Sequence, residues 1–140
     1  AEGKVFRGHD QQGRGLHCVG STLYELNDSG NITGNSMPLP GCEKITFSDY
    51  SGDLGWIDAL NNRVSSLSVK LNTSDTRMKL CEGVYLTQSC NIYPTNTDPV
   101  TDLWYDTNLY YSLNNFYTSL KVCYDTNDDA VPNTDRCSNY

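Results

Sequence analysis

The segment LNNRVSSLSV at residues 60–69 returns as LNNFYTSLKV at 113–122, with Leu-Asn-Asn, Ser/Thr-Ser-Leu and a closing Val at the same spacing. A repeat of this kind means that one supersecondary unit is used twice, each copy burying the apolar face that the other cannot cover alone. Leu67 and Val69, like Leu120 and Val122, alternate with the period of two that turns one face of a strand towards a core. The polar half of the frame holds Asn61, Asn62 and Ser65, then Asn114, Asn115 and Thr118. These residue types accept left-handed backbone angles and bond to nearby amides, which is reason enough for a tight bend. The same amide oxygens, hydroxyls and turn carbonyls are also what a hard cation such as Ca²⁺ prefers.

The rest of the chain agrees with a β architecture. At 140 residues it reads as one domain, 1–140. No window repeats apolar residues at three- and four-residue steps, and Gly or Pro interrupts most stretches that would need to do so. Strands are expected at 4–6 and 16–26 around a turn at 13–15, then at 43–47, 64–71, 79–87 and 117–122. NDSGNITGNSMPLPG, 27–41, is so rich in turn formers that it reads as a surface loop. Pro94 and Pro99 exclude a central strand from 90–106, and 125–140 reads as a polar tail pinned by Cys137.

Cys18, Cys42, Cys81, Cys90, Cys123 and Cys137 are an even number, spread along the chain without the paired spacing of a zinc site. Three disulfides are expected, with the pairing open, and they place the chain in an oxidising compartment. Sequons at Asn27, Asn31 and Asn72 are glycosylation candidates there. Ala1 in place of Met is the start expected of a secreted chain whose leader has been cleaved. A net charge of −7 sets the surface field against nucleic acid and anionic lipid, and no apolar run is long enough to span a bilayer.

The bend pattern [Asn/Asp]-[Asn/Asp]-x-x-[Ser/Thr]-Ser resembles the calcium signature of the βγ-crystallin superfamily, and both copies match at every fixed position. In that family each signature belongs to one four-stranded Greek key, which opens with a hairpin marked aromatic-x-x-x-x-aromatic-x-Gly. Phe6-RGHD-Gln11-Gln12-Gly13 resembles that hairpin with Gln11 in place of the second aromatic, and Tyr85-LTQS-Cys90-Asn91-Ile92 is a weaker echo. The resemblance implies an all-β, βγ-crystallin-like sandwich of two Greek-key motifs, about 4–72 and 77–124, followed by the tail at 125–140. It also implies Asn62, Ser65, Asn115 and Thr118 as calcium ligands, with Asp58 or Asp106 lending charge. Paired asparagines in place of carboxylates make that a weak site, because affinity follows ligand charge.

No catalytic constellation stands out around the two histidines, His9 and His17; the neighbouring pair His9-Asp10 reads as a solvent-facing turn. The aromatic run LWYDTNLYYSLNNFY, 103–117, reads as core and strand-face packing, with any exposed ring available to anchor a glycan or protein. The expectation is therefore a secreted, non-enzymatic binding or toxin-like module, similar to killer toxins and to fungal effectors of the plant apoplast. The loops 27–41 and 91–108 would meet a host or competitor protein or glycan. The competing expectation is a secreted protease inhibitor presenting Tyr93-Pro94-Thr95.

Overall fold

Among the described residues ten strands form two antiparallel sheets, most of them turning apolar side chains to one face. The computed structural model describes residues 2–71, 76–94, 103–109, 116–124 and 137. The first half of the chain gives β1 (Glu2–Phe6), β2 (Gly15–Val19), β3 (Thr22–Leu26), β4 (Ile32–Pro38), β5 (Ile45–Thr46) and β6 (Ser66–Leu71). The second gives β7 (Thr76–Cys81), β8 (Cys90–Tyr93), β9 (Leu103–Asn108) and β10 (Ser119–Tyr124). One sheet runs β4-β3-β2-β1-β6-β9 and the other β5-β10-β7-β8.

Both halves follow one path. β1 pairs with β2 and β6, and β7 pairs with β8 and β10, so the closing strand of each repeat lies beside its opening strand. The strand before each closing strand crosses over: β5 joins β10 in the opposite sheet, and β9 joins β6 in the first. The β3–β4 hairpin is additional to this path and widens the first sheet.

The inward rows of both sheets meet in one core. Val5, Leu16, Leu23, Leu67 and Val69 come from the first sheet, and Ile45, Met78, Leu80, Leu120 and Val122 from the second. Trp56, Ile57 and Leu60, on and after the short helical turn Gly55–Asp58, close one end. Gly15 is required by close approach, since a side chain there would drive its Cβ into the Val5 carbonyl on the neighbouring strand.

The disulfides are Cys18–Cys42, Cys81–Cys90 and Cys123–Cys137. The first ties β2 to the segment where the chain leaves β4. The second closes the β7–β8 hairpin. The third brings Cys137 back to β10, where its carbonyl accepts a hydrogen bond from Lys79 Nζ at 2.8 Å.

Several element boundaries differ from expectation. Residues 16–26 form two strands, because Gly20, at φ +63°, lets the chain reverse within the apolar run. The expected loop at 27–41 contains β4. Its side chains are mostly exposed, so it carries little apolar pattern and is held by backbone pairing to β3 and by side-chain bonds to Glu25. Segment 43–47 keeps only two strand residues before a 3₁₀ turn, Phe47–Asp49. Within 90–106, β8 and the start of β9 are strands, and both lie at sheet edges where proline nearby is tolerated.

Glu25 anchors the added hairpin. Its carboxylate accepts hydrogen bonds from Thr33 and Asn35 on β4 and from Arg14 in the β1–β2 turn. Burial raises its pKa, but the bonds from Asn35, Thr33 and Arg14, with the Arg14 charge, outweigh burial and hold it below the usual carboxylate range. The unfolded chain therefore takes up this proton first as pH falls, so the stability from Glu25 is complete above the ordinary carboxylate pKa and lost as pH drops through the lower native value. His17 adds to the same trend at milder acidity. Burial lowers its pKa despite the bond to Glu2, and Lys4 lowers it further, so the unfolded state also binds this proton first. Equilibrium urea melts should give falling stability from pH 7 to pH 3. Glu25→Gln should lose about 2 kcal/mol at pH 7 and flatten the acid limb; an unchanged limb would contradict this role for Glu25.

Candidate functional site

The two bends of the repeated frame are hubs of matching contacts. Ser65 N–H donates to the Phe6 carbonyl at 2.8 Å, and the Ser65 carbonyl accepts from Leu109 N–H at 2.9 Å. Thr118 N–H donates to the Cys81 carbonyl at 2.8 Å, and the Thr118 carbonyl accepts from Phe47 N–H at 2.9 Å. One residue further on, the Ser66 hydroxyl donates to the Gly8 carbonyl and accepts from Gln11 N–H. The Ser119 hydroxyl donates to the Gly83 carbonyl and accepts from Leu86 N–H.

The hairpins they hold also match. Arg7 and Gly8 donate backbone bonds to Arg14 and Gln12, as Glu82 and Gly83 do to Ser89 and Thr87. Positive φ falls at Asp10, Gln11 and Gly13 in one hairpin and at Tyr85, Leu86 and Gln88 in the other. Phe6 thus corresponds to Cys81, Gln11 to Leu86 and Gly13 to Gln88. This corrects the expected alignment, which put Tyr85 in the place of Phe6. The hairpin register is set by where the strand ends and the backbone turns left-handed, and the second copy marks those points with Cys81 and Gln88 instead of an aromatic ring and a glycine.

The bends also touch one another. Asn62, at φ +55°, donates its N–H to the Tyr117 carbonyl at 2.9 Å, and Thr118 Oγ1 donates to Asn62 Oδ1 at 3.2 Å. Two of the expected calcium ligands, Asn62 and Thr118, therefore meet, at a spacing that lets both oxygens stand about 2.4 Å from one cation. Ser65 is buried in its own bend, and Asn115 lies outside the described residues. Asp58 is exposed, with its carbonyl taken by Asn61 N–H, and Asp106 accepts the Ser68 hydroxyl on the sheet's outer face. Among the described residues, no three His, Cys, Asp or Glu side chains gather as a metal site.

The remaining candidates disperse. His9 is exposed, and the Asp10 carboxylate is bonded by Asn108, whose own side-chain oxygen takes the Asp10 N–H. Asn27 and Asn31 are exposed on the β3–β4 turn, where Asn27 Oδ1 caps the N–H groups of Ser29 and Asn31; Asn72 lies outside the described residues. Tyr93 and Pro94 are both buried. The Tyr93 hydroxyl is bonded to that of Tyr117, which also accepts from Asn91 Nδ2. Burial raises both phenol pKa values and keeps them neutral donors. Of the expected inhibitor segment Tyr93-Pro94-Thr95, Thr95 lies outside the described residues.

An open groove on the outer face of the six-stranded sheet joins residues of the first hairpin, of β6 and of both segments expected to meet a target. It encloses about 360 Å³ and is lined by Lys4, Phe6, Gln11, Ser29, Gly30, Ser68, Trp104 and Asp106. Register explains the gathering, since Lys4 faces Ser68 and Ser68 faces Asp106 across β1, β6 and β9. Trp104 is 37% exposed. Lys4 Nζ stands 4.8 Å from its ring centroid, and His17, bonded to Glu2, meets it edge-on at 6.2 Å. Gln11 spans the strands, with Nε2 donating to the Leu67 and Thr107 carbonyls. Of these residues, the sequence singles out Trp104 as a ring able to anchor a ligand, Asp106 as a charge near the second bend and Gln11 as a hairpin residue, and it gives Lys4 and Ser68 no role at a site.

Fold and site together define a class: an antiparallel two-sheet β domain made from a duplicated unit, closed by three disulfides and carrying a mixed polar and aromatic groove on one sheet. Compared with family models, curated proteins and solved structures, the chain matches none of them. Among the described residues no helix is long and apolar enough to cross a membrane.

Proposed function

We propose that this chain is a secreted, non-enzymatic binding or toxin-like module on a βγ-crystallin-like pair of Greek keys, of the kind used by fungal apoplastic effectors and killer toxins. The crossing of β5 and β9 between the sheets and the matched bends support the scaffold reading. Three disulfides are compatible with an extracellular setting. One observation carries the functional reading: the two segments expected to meet a target converge on one groove, Ser29 and Gly30 from 27–41 and Trp104 and Asp106 from 91–108. A stapled scaffold that brings two such segments to one open surface is suited to recognition.

The test is saturable binding of fluorescently labelled protein to plant and yeast cell-wall fractions, competed by unlabelled protein. Ser29→Arg should abolish it, and Val84→Ala, an exposed change on the other hairpin, should leave it intact. Absence of saturable binding to either fraction counts against the module.

Calcium belongs to the same reading as a weak structural ligand of Asn62 and Thr118, with Ser65 and Asn115 as their counterparts. Neutral oxygens alone give low affinity, so the expected result is a melting temperature higher in millimolar Ca²⁺ than in chelator by a few degrees at most. Identical melting curves would remove calcium from the proposal.

A further inference from the structure

The groove beside Trp104 has a chemistry that narrows its ligand. Its described lining holds one cation, Lys4, and one carboxylate, Asp106, so it offers no net charge to a polyanion, and the chain as a whole, at −7, repels one. An apolar ligand would strip water from Lys4 and Asp106 without replacing their hydrogen bonds. Gln11 uses its amide N–H groups on backbone carbonyls, so what it has left to give a ligand is its carbonyl oxygen. Ser68 donates to Asp106 and so fixes the direction of that carboxylate.

Acceptors at Asp106 and Gln11, a donor at Lys4 and an indole wall match a molecule whose hydroxyls both donate and accept and whose ring carries apolar C–H patches. The indole is also preorganised. Lys4 over its ring and His17 at its edge hold it before a ligand arrives, so little side-chain freedom is lost on binding. The volume, about 360 Å³, lies near the lower end of small-ligand sites, roughly 300–1,000 Å³.

We propose that this groove binds a neutral pyranose oligosaccharide, with Trp104 as the stacking surface and Asp106, Gln11 and Lys4 bonding its hydroxyls. The proposal rests on the reading of the chain as a binding module and names the ligand class of that site.

The experiment uses the full chain produced without N-glycans, because Asn27 and Asn31 flank the Ser29–Gly30 rim and a glycan there would stand at the groove. Hexasaccharides of β-1,4-glucose, β-1,3-glucose, β-1,4-N-acetylglucosamine and α-1,4-glucose are titrated by calorimetry and by tryptophan emission. Trp56 is buried, so a change in emission reports on Trp104. At least one sugar should bind saturably, with Kd on the order of 10⁻⁴ M. Trp104→Ala should weaken binding at least tenfold while Trp104→Tyr keeps most of it. Asp106→Asn, which preserves shape, should weaken it several-fold and serves as the decisive variant if Trp104→Ala fails to fold.

No binding of any of the four sugars at millimolar concentration overturns the proposal, as does affinity unchanged in Asp106→Asn and in whichever Trp104 variants fold. Binding of polygalacturonate alone, or of an extended peptide along the β9 edge alone, overturns it too. If labelled protein binds cell walls saturably, but protease removes that binding and glycan digestion does not, the saccharide assignment falls while the binding module stands.

Discussion

Replacing Cys18 and Cys42 together by alanine should cost about 3.5 kcal/mol and lower the melting temperature by about 10 °C. The bond closes a sequence separation of 24 residues, the longest of the three; the others close 9 and 14. In the chain-entropy description the unfolded state regains most freedom where the closed loop is longest. Position sharpens the effect. Cys18 and Cys42 both lie in the core, where β2 meets the segment that leaves the added β3–β4 hairpin. Without the bond, the hairpin and the 3₁₀ turn at Pro40–Cys42 are held by the β2–β3 and β3–β4 pairings, the Leu39–Ser21 backbone bond, the Glu25 bonds and core side chains. Urea melts of the three double-alanine variants should rank Cys18/Cys42 as the most damaging. If it proves the least damaging, the hairpin is secured by something other than this staple.

The second large effect is a matched pair. Ser66→Ala and Ser119→Ala should each destabilise by about 3 kcal/mol and agree with one another within about 1 kcal/mol. Both serines are fully buried, at 0% exposure. Each hydroxyl joins a carbonyl and an N–H of a neighbouring hairpin, and its removal leaves one donor and one acceptor unpaired, part-buried beside Ser66 and buried beside Ser119. Each hairpin also carries left-handed, non-glycine residues, among them Gln11 and Leu86, which persist only where their surroundings enforce them. Ser68→Ala, which loses one hydroxyl bond to the exposed Asp106 carboxylate, should cost less, about 1.5 kcal/mol. A large inequality between Ser66→Ala and Ser119→Ala would mean that the two hairpins, despite matching bonds, are not mechanically equivalent.

The signature was legible in the sequence, but its division of labour was not. Attention falls naturally on the fifth position, Ser65 and Thr118, because a hydroxyl there suggests a ligand. The structure gives the hairpin lock to the sixth position, Ser66 and Ser119, and uses the backbone of the fifth to tie the opening strand of its own half to the end of the strand that crosses over from the other half. The groove was less visible still. Lys4, Ser68 and Asp106 lie far apart in sequence and become neighbours through strand register alone. Strand β4 was missed for a related reason. An edge strand with few buried side chains lacks the alternation that marks a strand, and its Gly, Asn and Ser read as turn chemistry.

The local rules follow from the residues themselves: alternation in the closing strands, two polar bends in one frame, a glycine turn at 13–15, and an even set of cysteines for three bonds. These follow from residue type and spacing within a few positions, where sterics and side-chain bonding act directly. Long-range packing chose which strands exchange sheets, which cysteines meet, that Cys81 stands where Phe6 stands, and that Trp104 shares a groove with the turn at Gly30. Those outcomes depend on pairings across dozens of residues, whose free energy comes from burying both sheets against one core, and no local pattern encodes the partner.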